Sequence, residues 1–253
     1  MNILLLTDFS VNARNAAEYA FQLFRSIPCT FHFLHVTPVK GKREDLSLPP
    51  EIQSKFDFLL DWANRQKLNS NHEFTVSYRC HYFIEAVREL AKEKKIDLIL
   101  MGTRGSSNSK DLFVGKNAED VMRKVKYPVL AVSENAVYHP RQQMLLPTDY
   151  KVRCTLQMLK VLSQLSQLSQ SKVQVLELLS SGPPTFEQLE NRKFLLESCD
   201  FQLSDLNKVT PTLSSENKIM VMVAKNLGLW RSVFRSNRNS STLTAQSPLL
   251  VLH

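Results

Sequence analysis

The sequence predicts an α/β protein built from two tandem open parallel-sheet domains, each with a five-stranded sheet and helices on both faces, the second copy reduced. Three observations carry this. Apolar runs of strand length alternate with segments of helical periodicity through the first half, the pattern of a parallel sheet covered on both sides. The alternation restarts in the second half, where MLLPTD (144–149) echoes ILLLTD (3–8). The closing SPLLVLH likewise echoes YPVLAVS (127–133), and an internal repeat fixes architecture more firmly than any single element.

In the first copy, Asn2–Thr7 is a buried-type strand, and Ser10 is placed to cap a helix carrying Ala13, Ala16, Ala17, Ala20, Leu23 and Phe24 on one face. Thr30–Thr37 is strand-like, and Glu51–Leu68 is helical through Ile52, Phe56, Leu59, Leu60 and Ala63. Phe74–Tyr78 is a third strand and Phe83–Glu93 a third helix. Ile96–Met101 is the fourth and most apolar strand. A Gly/Ser-rich loop leads to a helix near Lys116–Val125, and Tyr127–Val132 closes the copy.

The domains are placed at residues 1–136 and 143–253, joined by the polar stretch SENAVYHPRQQ. Aligning Pro128 with Pro248 also aligns IDLILMG (96–102) with NKIMVMV (217–223). The second copy is eroded between Phe201 and Glu216, where a helix is expected to be lost or cut to a turn. Leu159, Leu162 and Leu165 place the SQLSQLSQ repeat in an amphipathic helix rather than a low-complexity tract.

Composition excludes several classes. No run approaches the roughly 18–20 apolar residues of a membrane span, and the opening MNILLLTDFS has no basic leader region, so a cytoplasmic protein is expected. The four cysteines form no CxxC pair and the histidines no HExxH, so neither a disulfide framework nor a metal site is expected. The net charge of +8 is concentrated late, with Lys218, Lys225, Arg231, Arg235 and Arg238 after the last acid, Glu216. A solvated loop is the simpler reading of that segment. With no aromatic-interleaved RNA signature, nucleic acid is not an expected partner.

The stretch MGTRGSSNSKDLFVGKNAEDV (101–121) holds three of the six glycines. Glycines after an apolar strand let backbone N–H groups converge on an anion, and the following helix adds a positive dipole end. Arg104 and Lys116 would add charge. The stretch fits neither GxxxxGK[ST] nor GxGxxG, and a loop that merely turns the chain fits the glycines equally well. No catalytic set emerges from linear order, so the chain is read as a binding protein rather than an enzyme, with slow ATP hydrolysis left open.

The G-x2-G-x9-G spacing of Gly102, Gly105 and Gly115 resembles the nucleotide signature of the universal stress protein family. TDFS with its spaced alanines, LHV (34–36), DLILMG (97–102) and YPVLAV follow in the family's order. The resemblance spans residues 1–135 and is weaker over 143–253. It implies Rossmann-like domains of the adenine nucleotide alpha hydrolase type, binding ATP or another adenine nucleotide, with or without magnesium and not as a tightly held cofactor. It places base and ribose by Thr7, Asp8 and Val36, phosphates over Gly102, Arg104, Gly105 and the turn of Gly115, Lys116, Asn117 and Ala118, and Met101 in the same nucleotide site.

Asp8 serves a turn or N-cap as well as a ribose, and His35 is read as a packing residue. Lys116 departs from the family's Ser or Thr and cannot give the short hydroxyl contact to phosphate. In the second copy Ala224, Leu227 and Arg235 face the three glycines, so no site of this type is expected there and Asp149 is read as a helix cap. The resemblance further implies a pseudo-dimer of the two copies through Val129–Val132 and Leu249–Leu252. A homodimer and a protein partner that reads nucleotide-dependent ordering of Ser106–Val114 stay open, as does a scaffold that binds no nucleotide.

Overall fold

The computed structural model describes residues 1–39, 47–103, 115–178, 182–199, 201–205, 217–227 and 247–253. The chain divides into two compact units, Met1–Tyr138 and His139–His253.

The first unit runs β1 (Asn2–Leu6), α1 (Val11–Leu23), β2 (Cys29–Thr37), α2 (Pro50–Arg65), β3 (His72–Cys80), α3 (Phe83–Glu93), β4 (Leu98–Gly102), α4 (Lys116–Lys124) and β5 (Val129–Val132). All pairings are parallel, in the order β3-β2-β1-β4-β5. Right-handed crossovers in this order put α1 and α2 on one face of the sheet and α3 and α4 on the other. Ring contacts agree: Phe21 of α1 meets Phe31 of β2 at 5.0 Å and Trp62 of α2 at 5.7 Å. On the far side, the Arg88 guanidinium of α3 donates to the Lys124 carbonyl at the end of α4.

Helix α1 starts at Ser10, whose hydroxyl accepts the Ala13 N–H at 3.2 Å. It buries Ala13, Ala16, Ala17 and Ala20 against the sheet, small side chains that let the backbones come close. Strand β4 follows the fourth apolar run, and β3 extends two residues beyond Phe74–Tyr78 at each end. Pairing along the whole of β2, from Cys29↔His72 to Thr37↔Cys80, accounts for the added length.

The second unit runs β6 (Gln143–Thr148), α5 (Leu156–Ser169), β7 (Lys172–Glu177), α6 (Phe186–Ser198), β8 (Gln202–Asp205), β9 (Lys218–Val223) and β10 (Leu249–Leu252). Its order, β10-β9-β6-β7-β8, repeats that of the first unit strand for strand. The SQLSQLSQ tract lies in α5, with Leu159, Leu162 and Leu165 buried. The eroded stretch 206–216 lies outside the described residues.

Two expectations fail here. Asp149 does not cap a helix: the β6–α5 connection runs on to Thr155, whose hydroxyl accepts the Met158 N–H at 3.3 Å. The Asp149 carboxylate instead accepts from the Lys151 N–H and the Asn226 amide. Lys218 is no part of a solvated face either; as the first residue of β9 it is 0% exposed. Lys225 is exposed, and 228–246 lie outside the described residues.

Candidate functional site

In the sheet order β3-β2-β1-β4-β5 the chain leaves β1 toward one face and β4 toward the other. A crevice therefore opens at the carboxyl ends of these two neighbours, the switch point at which open α/β sheets take ligands. Every described residue of the sequence-predicted site lies at this edge.

Beyond β1 the backbone turns sharply. The Thr7 N–H continues the ladder to the Leu34 carbonyl at 2.9 Å, and the Thr7 hydroxyl accepts the Phe9 N–H at 3.0 Å. The exposed Asp8 carboxylate accepts the Ser10 N–H at 3.0 Å. Phe9 takes a left-handed φ of 63°, which costs an aromatic residue energy and is held by the two side-chain bonds on either side. The second unit repeats the device at Thr148-Asp149-Tyr150. There the Thr148 hydroxyl accepts the Tyr150 N–H at 3.0 Å, and Tyr150 has φ 59°.

Side-chain alternation along the strands sorts the remaining residues. Leu6 pairs with Leu34 and Leu4 with Ile99, so Val36 and Met101, two residues beyond, lie on the α3/α4 face. Met101 is buried and Val36 half-buried. Together they offer an apolar wall beside the entry to α4. Gly102 faces the other way, toward α1. A Cβ there would lie 2.7 Å from Cγ of the buried Asn12 side chain. Gly102 is thus required by packing against α1, and the sequence held no sign of Asn12's part in it.

Gly115 is the N-cap of α4, with φ −64° and ψ 154° and no side-chain cap. Its conformation is one that any residue adopts. Its N–H donates to the Thr103 carbonyl at 2.7 Å, so that donor is spent within the fold. The first turn of α4 brings Lys116 and Asn117 to the surface and buries Ala118. Among the described residues no side chain caps this turn, so its first N–H groups are placed to meet an acceptor from outside. Arg104, Gly105 and the stretch Ser106–Val114 lie outside the described residues.

His35 is half-buried, with Nδ1 on the Thr7 carbonyl at 2.8 Å and its ring 4.6 Å from Phe9. It is a packing residue that also braces the turn beneath Asp8. Among the described residues no cluster of three or more side chains could hold a metal ion, and no helix is long and apolar enough to cross a membrane.

In the second unit a 3-10 turn (Ala224–Asn226) follows β9 where Thr103 follows β4. Asn226 reaches across to donate to Asp149 at 3.1 Å. Gln188 of α6 donates to the Asp149 carbonyl at 2.7 Å, and Asn191 donates to the Tyr150 carbonyl at 2.9 Å. Side chains of α6 and of the 3-10 turn thus crowd this edge in the second unit.

Comparison with known proteins agrees with this fold. The family model of the universal stress protein family matches residues 1–133. No curated protein sequence matches the chain. Among solved structures, a universal stress protein from Archaeoglobus fulgidus DSM 4304 aligns over 99% of this chain and 97% of its own, at 15% identity and TM-score 0.67. A functionally unknown protein from Pseudomonas aeruginosa PAO1 covers 99% and 92%, at 14% identity and TM-score 0.54. The cytoplasmic domain of a prokaryotic cation chloride cotransporter covers 99% and 94%, at 10% identity and TM-score 0.53. These likenesses establish the fold over both units. With the family model covering more than half of the sequence, the chain belongs to the universal stress protein family.

Proposed function

We propose that the first unit binds ATP or a related adenine nucleotide at the carboxyl edge of β1, β2 and β4, and acts as a nucleotide-responsive regulatory module. The observation that carries this is the uncapped start of α4 at the switch point, beside the apolar pair Val36 and Met101. A phosphate there would take the place of the missing cap. Met101 and Val36 would pack on the base. Thr7 and Asp8 would meet the ribose, whose hydroxyls can donate to a carboxylate at this turn. Gly102, Arg104, Gly105 and the Gly115–Ala118 turn would follow the phosphates, with Lys116 supplying charge in place of a hydroxyl.

Such a site grips its ligand without turning it over. His35 commits Nδ1 to the Thr7 carbonyl, and backbone N–H groups bind a ground state without activating water. Nucleotide would instead order the loop after Gly105 and change a surface that a protein partner reads. One observation favours the alternative of an interaction protein without nucleotide, its two copies kept as packing partners. The Gly115 N–H, a natural phosphate donor, is already bonded to Thr103.

Photo-crosslinking with 8-azido-ATP, followed by peptide mapping, tests the proposal. Labelled peptides should come from the ends of β1, β2 or β4 and be protected by unlabelled ATP. Labelling confined to residues 139–253, or unprotected by ATP, would overturn it.

A further inference from the structure

A cavity lies in the first unit, between α1 and α2. It measures about 500 Å³, within the range of small-ligand sites. Phe9, Ala13, Phe33, Phe58 and Leu59 give it mostly apolar walls, and Thr7 and Ser10 of the β1–α1 turn line the side that borders the proposed nucleotide site. Phe33 shares its face of the sheet with Phe31, which packs on α1. The cavity therefore lies on the opposite face from Val36, Met101 and α4. Phe58 is 56% exposed, a large aromatic surface left facing an unfilled space.

The rim carries two cations with different commitments. Lys55 is bonded to Glu51 at 2.6 Å, so that pair is neutral. The half-buried Arg14 guanidinium sits 5.5 Å from the Phe58 ring centroid and 5.4 Å from that of Trp62. Among the described residues no carboxylate forms an ion pair with it. The rings hold the guanidinium at the mouth, and its planar fork matches a carboxylate. Among the described residues this leaves Arg14 as the one positive charge without an ion-pair partner over an apolar chamber, which selects a monoanion with an apolar body. A polyphosphate would bring more charge than Arg14 can answer and nothing to fill the aromatic walls.

We propose that this α1–α2 pocket is a second ligand site, taking a small amphipathic carboxylate whose apolar body seats among Phe9, Phe33 and Phe58 and whose head pairs with Arg14. It borders the proposed nucleotide site at Thr7, but its walls and its cation lie on the other face of the sheet and it does not depend on the nucleotide reading.

The test is titration of the full chain, without nucleotide, with 1-naphthoate and octanoate, and with 1-naphthalenemethanol as the neutral control. At least one carboxylate should bind once per chain and more tightly than the alcohol. Arg14→Gln should weaken it by about tenfold or more while leaving the alcohol unchanged. Ser54→Trp, on the exposed side of α2 at the pocket mouth, should block both ligands without touching the core. Binding should persist in saturating ATP. Failure of both carboxylates to bind, indifference to the two substitutions, or competitive displacement by ATP would each overturn the proposal.

Discussion

The Asn12 side chain lies where Gly102 leaves no room for a Cβ, 2.7 Å from Cγ and 2.8 Å from Nδ2. This contact fixes the entry of α1 against the end of β4, and with it one wall of the crevice. Gly102→Ala should cost about 1–3 kcal/mol, because the buried Asn12 must shift in a packed interior. The double variant Asn12→Ala, Gly102→Ala should show favourable coupling of about 1 kcal/mol or more in urea unfolding. Simple additivity would show that the two residues do not constrain each other.

Lys218 should make stability rise with pH above neutrality. Its ammonium is fully buried, and burial lowers its pKa from 10.5 to about 8. Among the described residues Nζ has no hydrogen-bond partner. Below pH 8 the lysine is charged folded or unfolded, and the folded state bears the whole penalty. Between the two pKa values the unfolded chain holds the extra proton, so stability climbs with pH and then levels off. Lys218→Met should be more stable at pH 7 by about 1–3 kcal/mol, an advantage that shrinks toward pH 10. Cys29 and Cys154, whose thiols burial raises to about 11, act in the opposite sense. The difference between parent and variant in urea unfolding across pH 7–10 isolates the lysine.

Glu177 should matter more to the second unit than either of its partners. One of its oxygens accepts both the Tyr150 hydroxyl at 2.8 Å and the Arg192 Nε–H at 2.7 Å. Its negative charge and that hydrogen bond, added to burial, hold the Tyr150 hydroxyl protonated well above the usual tyrosine range. Tyr150→Phe removes one bond and should cost about 1 kcal/mol, whereas Glu177→Ala leaves a half-buried hydroxyl and a guanidinium without their acceptor and should cost about 2–3 kcal/mol. Thermal unfolding of the two variants gives the ranking.

Periodicity made the succession of strands and helices and the repeat legible, because apolar runs and spaced alanines report which surfaces a sheet and its helices must bury. The order of strands within each sheet comes from their pairing. The glycine spacing drew attention to the connection after β4, whose Gly102 and Gly115 stand at the carboxyl edge of the sheet. What it could not show is why each glycine is there: Gly102 answers to Asn12, a residue that reads as an ordinary helical polar position, and Gly115 answers to no positive φ. Asp149 misled because Thr-Asp heads both copies, yet in the first the helix cap follows at Ser10 and in the second the chain runs on to Thr155. Lys218 stood in a run of basic residues, and only the strand pairing of β9 reveals that it points into the interior. The α1–α2 cavity joins residues from the β1 turn, β2 and α2, and no local pattern announces it.

Calorimetric titration of nucleotide-stripped protein with ATP and AMP, with and without magnesium, tests the nucleotide reading most directly. Gly115→Val serves as the comparison, since it puts a branched side chain at the uncapped start of α4. The crevice predicts about one nucleotide per chain and loss of binding in the variant. No heat with any adenine nucleotide, or binding that Gly115→Val leaves intact, would contradict it and leave the first unit an interaction module.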